Sequence, residues 1–275
     1  MQHLKHKAQE IAQFYTQNPK VDSLLLAGSI SRNWQDEHSD IELHILWSEP
    51  PTDEDRLAPI KKATGSILSF HPYEEKEWSE AYLTHNGVKL EISSFLTSSV
   101  ERFVDDVVVK YESDYDKQCI AASFYHGESL YGEEKINELK HHLIQYPVEL
   151  SKVMILENLH LGNRWNNRQA LLERQDWLML YSVICEVQTK LFGILFGLNK
   201  MYVHHPSFKW MKQSIHLMSI KPVNLYERMA DILTGKPESS IKELTVLIME
   251  TAALVEERFP ELISSELKNR LEYLK

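Results

Sequence analysis

Residues 24–46, LLLAGSISRNWQDEHSDIELHIL, leave this chain few folds to choose from. An apolar run ends at Gly28-Ser29, and a second run follows in which Ile41, Leu43 and Ile45 alternate with Asp40, Glu42 and His44. Successive side chains of a strand point to opposite faces, so the apolar set is predicted to seat a strand on a core while Asp40 and Glu42 share the other face. Two carboxylates side by side repel each other unless a cation lies between them. Hard oxygen ligands so placed suit magnesium, which takes one or two carboxylates together with phosphate oxygens of a nucleotide. The turn just upstream is a candidate phosphate cradle. Gly28 admits close backbone approach, and Ser29 offers an amide and a hydroxyl at the start of a short helix. The plainer reading is an ordinary turn followed by a solvated strand face.

Around that unit the chain changes character once. Helical spacing over 8–15 stops at Asn18-Pro19, and 21–27 reads as a buried strand. A turn at 48–52 leads to a surface helix over 53–64 ended by Gly65, then a third strand at 66–71. After a polar stretch, 74–84, the pair Asn86-Gly87 signals a tight turn into a fourth strand at 88–93. There Val88, Leu90 and Ile92 alternate with Lys89, Glu91 and Ser93, so Glu91 falls on the polar side. Beyond about residue 98 strand signals fade and helices are predicted at 99–112, 116–124, 135–145, 147–165, 169–198, 208–218, 223–234, 241–257 and 260–273. The expected architecture is α+β: a small mixed β-sheet domain, residues 1–105, followed by an α-helical bundle domain, residues 106–275.

Composition narrows the partners. The chain has 275 residues, 43% of them hydrophobic, enough for two cores. With 30 basic and 40 acidic residues its formal charge is −10, which disfavours nucleic acid and favours a small cationic ligand. Cys119 and Cys185 are too few for a disulfide framework. The N-terminus lacks a signal-peptide core, and the most apolar helix, 177–198, is interrupted by Glu186 and Lys190 and falls short of an uncharged membrane span. A cytoplasmic protein without membrane contact is expected. The histidines, 13 in all, show no His-Glu-x-x-His spacing, and the pairs His141-His142 and His204-His205 point in different directions on a helix.

Gly28-Ser29, ten intervening residues, then Ser39-Asp40-Ile41-Glu42 resembles the signature of the nucleotidyltransferase superfamily typified by DNA polymerase beta. Within it the chain is most similar to the small-molecule group, including antibiotic nucleotidyltransferases for aminoglycosides and lincosamides, which join this module to a helical C-terminal domain. Residues 195–210, LFGLNKMYVHHPSFKW, also look like a segment of the helical half of bacterial relatives. Asn33 stands where many relatives carry a second glycine, and Glu42 replaces the commoner aspartate. The resemblance implies an enzyme that transfers a nucleoside monophosphate from ATP, with Mg2+, to a hydroxyl of a small, cationic acceptor. Asp40, Glu42 and Glu91 would hold the metal, with Glu91 alternatively the general base; Gly28, Ser29 and Arg32 would meet the triphosphate, as would Lys200 and Lys209 from the helical half. Nucleotidylation of a protein, or a module that binds a nucleotide or partner without turnover, are the alternatives.

Overall fold

The computed structural model describes residues 2–74 and 76–264, which form two compact units. The class is α+β. The first unit comprises the residues up to Lys110 and Asp116–Gln145; the second takes Tyr111–Tyr115 and the described residues from Tyr146 onward.

The first unit is built on a six-stranded mixed sheet. Its strands are β1 (Val21–Leu26), β2 (Ile41–Trp47), β3 (Ser66–Phe70), β4 (Trp78–Leu83), β5 (Lys89–Leu96) and β6 (Glu128–Tyr131), in the order β3-β4-β5-β2-β1-β6. β2 and β5 run parallel, and the other pairs are antiparallel. Helices α1 (Gln2–Tyr15), α2 (Gly28–Ser31), α3 (Asp53–Lys62), α4 (Thr97–Val108), α5 (Tyr115–His126) and α6 (Glu133–Leu143) complete the sequence up to residue 143, with Tyr115 itself counted in the second unit. The alternation in β2 does what it predicts: Ile41, Leu43 and Ile45 are fully buried and pack with Ile11 and Tyr15 of α1, Ile60 of α3, Leu90 and Ile92. Burying each such aliphatic side chain stabilises the unit by about 2 kcal/mol. α3 starts where Thr52 and Asp55 cap each other reciprocally, a capping box.

Two strands differ from expectation. β4 occupies the stretch read as polar, because Glu80 stands at an inward position of the strand and hides its alternation. β6, squeezed between His126-Gly127 and Tyr131-Gly132, adds to the edge of β1 and brings α5 and α6 with it. The boundary expected at 105/106 therefore moves to about residue 145.

The second unit holds α7 (Val148–Asn158), α8 (Asn163–Asn166), α9 (Arg168–Glu173), α10 (Trp177–Leu198), α11 (Met211–Leu217), α12 (Leu225–Thr234) and α13 (Pro237–Arg258). α10 packs on α7 and α13. At Gly193 a Cβ would lie 2.4 Å from both Asn158 Nδ2 and Tyr115 Oη, so a side chain there would push α7 away. α10 is long and apolar enough to pass for a membrane span by length and composition, yet 56% of its apolar window is buried inside the unit, as in a core helix. Of the helix expected at 260–273, Pro260–Leu262 is a single 3-10 turn, and residues 265–273 lie outside the described residues.

Candidate functional site

The turn after β1 and the acid pair of β2 are locked together by their backbones. Ala27 N–H donates to the Glu42 carbonyl at 2.9 Å, and Leu26 stands opposite Leu43 in the β1–β2 register. Gly28 follows with φ +65°, in the left-handed region that disfavours side chains. A Cβ on Gly28 would fall 2.3 Å from Glu42 Cδ and Oε1 and 2.6 Å from Oε2. The positive φ favours glycine, and the space a side chain would fill is the seat of the Glu42 carboxylate, which would have to swing aside.

The carbonyl of Gly28 is also fixed. It accepts from Ser31 Oγ at 3.0 Å and from Arg32 Nη1 at 3.2 Å, while Arg32 Nη2 donates to the Ala122 carbonyl of α5 at 3.3 Å. Arg32, expected at the phosphate, thus ties the turn to α5, and its Nε is buried without a partner. Burial pulls the guanidinium down to about 10, against the opposing pull of the Glu42 charge. Ser29 is buried within the turn.

The parallel pairing of β2 with β5 places Glu42 opposite Glu91 and Ile41 opposite Leu90. Glu42 and His44 of β2 therefore share one sheet face with Lys89, Glu91 and Ser93 of β5, and Asp40, the residue just before β2, joins them through Lys89. Toward one end the face is covered: His44 lies 5.6 Å from the Phe95 ring and 6.3 Å from Phe124, with Nδ1 buried and unpartnered. Burial pulls His44 down to about 4, and the Arg32 charge acts in the same direction, so the ring is neutral at neutral pH. Toward the other end the face opens, and the Glu91 side chain is 49% exposed.

There Lys89 gathers two of the acids. Its ammonium donates to Asp40 Oδ2 at 3.1 Å and to Glu91 Oε1. These bonds, Glu91 first and Asp40 second, raise the lysine above its ordinary range. Asp40 and Glu91 thus converge on one cation and Glu42 rests against the turn, but among the described residues no three His, Cys, Asp or Glu side chains stand close enough to hold a metal ion between them. The three-carboxylate cage is not assembled. The donor set nevertheless suits magnesium held by one or two carboxylates, since Asp40 and Glu42 carry hard oxygens and the Glu42 carboxylate lies in the space beside the Gly28 backbone. Sequence reasoning gave Lys89 no role; its position two residues before Glu91, on the same strand face, was the available signal. Lys200 and Lys209 belong to the second unit, where both are exposed and the Lys209 carbonyl lies 3.1 Å from His204 Nε2.

Residues 113–211 match a family described as a domain of unknown function (DUF4037). Gly28 and the three acids lie outside that match. No curated protein matches the chain. Among solved structures, an aminoglycoside 6-adenyltransferase from Bacillus subtilis aligns over 97% of this chain and 95% of its own, at 10% identity and a TM-score of 0.28. A superposition that loose carries no argument about this chain's site.

Proposed function

We propose that this chain transfers a nucleoside monophosphate from ATP to a hydroxyl group of a small molecule. The observation that carries the reading is the seating of the Glu42 carboxylate in the space vacated by the side chain of Gly28, which joins an acidic strand pair to a backbone cradle. In the reaction the acceptor oxygen forms a bond to the α-phosphorus, the bond from that phosphorus to the bridging oxygen breaks, and pyrophosphate leaves. Magnesium, when bound, would neutralise the charge that develops on the phosphate oxygens. Asp40 and Glu42 are the side chains that would hold it. Gly28 leaves room for the Glu42 carboxylate against the turn whose backbone would meet the triphosphate, and Arg32 keeps that turn fixed by holding the carbonyls of Gly28 and Ala122. Glu91, the most solvated of the three acids, would take the acceptor's proton, a role typically worth about 10² to 10⁴ in rate. The net charge of −10 favours a cationic, hydroxylated acceptor such as an amino sugar.

The test is to incubate the chain with ATP, magnesium and a panel of hydroxylated antibiotics, aminoglycosides and lincosamides among them, and to measure pyrophosphate and the nucleotidylated product. Release that depends on one acceptor and is lost in Asp40→Asn supports the reading; no adduct with any acceptor counts against it. One observation favours a second reading, a module that binds a nucleotide without turnover: Lys89 holds two of the three acids. That module would bind ATP and release no pyrophosphate.

A further inference from the structure

Lys89 stands where the acids of the two parallel strands come together. Its neighbour Leu90 pairs with Ile41, so the ammonium reaches back to Asp40 across the strand pair and forward to Glu91 on its own strand. Glu42, Glu91 and Lys89 lie on one sheet face and Asp40 joins them through Lys89, three acidic side chains and one basic. The Lys89 side chain is 41% exposed, on a flexible four-carbon stem. An ion pair so open to water is worth at most about 1 kcal/mol, so the ammonium can leave at little cost. A buried lysine in the same place would be part of the scaffold; an exposed one is exchangeable.

We propose that Lys89 is a built-in counter-cation which holds Asp40 and Glu91 until a divalent cation displaces it, and so sets how much divalent cation the site requires. The inference rests on the reading of Asp40 and Glu42 as metal-holding residues. Two effects make Lys89 a competitor. It occupies carboxylate oxygens that the ion would use, and its positive charge repels a second cation brought to the same group of acids. Removing it leaves the Asp40 and Glu91 carboxylates without the cation they share, which raises their appetite for a divalent ion.

The experiment is a titration of the whole chain with Mn2+, with free ion followed by electron paramagnetic resonance, on wild type, Lys89→Met, Lys89→Gln and Asp40→Asn. Lys89→Met and Lys89→Gln are expected to bind Mn2+ about tenfold more tightly than wild type, and Asp40→Asn to lose the site. Two lysine variants guard against one misfolding, and thermal melting checks that each is folded. Should wild type bind Mn2+ through Asp40 while both lysine variants bind equally or more weakly, the counter-cation inference fails and the metal-site reading stands. Should no form bind Mn2+, or should Asp40→Asn bind as wild type does, the metal-site reading fails and takes the inference with it.

Discussion

The sheet carries ion pairs on both of its faces, and they behave as opposites. On the core face Arg56 of α3 meets Glu80 of β4, both side chains wholly buried, with Nη2 and Nε at 2.6 and 2.9 Å from Glu80 Oε2. Arg56 also donates to the carbonyls of His71 and Ser79 and lies 4.0 Å from the centre of the Phe70 ring. On the other face Lys89 meets Asp40 and Glu91 in partial contact with water. The first pair has no solvent to return to, so its members are committed to each other and to the fold. The second can trade its lysine for another cation. Similar side chains separated by one strand pleat thus divide into scaffold and candidate chemistry, and burial decides which is which.

The largest expected effect is on the buried pair. Arg56→Met leaves Glu80 without its cation in the core and is expected to destabilise the first unit by about 3–5 kcal/mol, read from urea unfolding. A loss under about 1 kcal/mol would erase the contrast between the faces.

Next comes pH. Burial raises Glu80 to about 7, with Arg56 pulling the other way. A carboxyl whose folded value lies above its unfolded one gives stability that is present at low pH and lost as pH climbs toward the folded value. Unfolding free energy is therefore expected to fall by about 2 kcal/mol between about pH 5 and 8 from this group, and Glu80→Gln to flatten that slope. A slope unchanged by the substitution would place the titration elsewhere.

Gly28→Ala forces a side chain into a left-handed turn and into the Glu42 carboxylate. A cost of about 1–2 kcal/mol is expected from the backbone alone, with metal-dependent nucleotide binding lost while the unit stays folded. Retained binding would show that the carboxylate's seat is unimportant. The smallest effect is that of Lys89→Met on stability, expected within about 1 kcal/mol of wild type by thermal melting.

The acid-bearing half of the sheet was legible in the sequence because its strands obey a simple alternation. Ile41, Leu43 and Ile45 face the core while Asp40 and Glu42 do not, and Leu90 and Ile92 repeat the pattern around Glu91. β4 was illegible for the opposite reason: Glu80 is a charged residue at a core position, satisfied by an arginine 24 residues away. β6 is four residues long and bounded by glycine-containing breakers, too short for a periodicity to register. Arg32 shows a different limit. Its charge and position suggest a phosphate contact, whereas its guanidinium bonds the carbonyl of Ala122, 90 residues on, a contact that exists only once α5 is packed. The Gly-Ser turn and the strand that carries the acids were readable from spacing and alternation; the lysine that joins two of those acids depends on the β2–β5 register.

The central claim is that the turn at Gly28 and the acids of β2 form one metal-dependent nucleotide site. It is tested most directly by calorimetry with a non-hydrolysable ATP analogue, with and without magnesium, on wild type and Asp40→Asn. Binding that requires magnesium in the wild type and disappears in the variant is the expected result. Binding that is equally strong without magnesium and indifferent to the substitution would contradict the account.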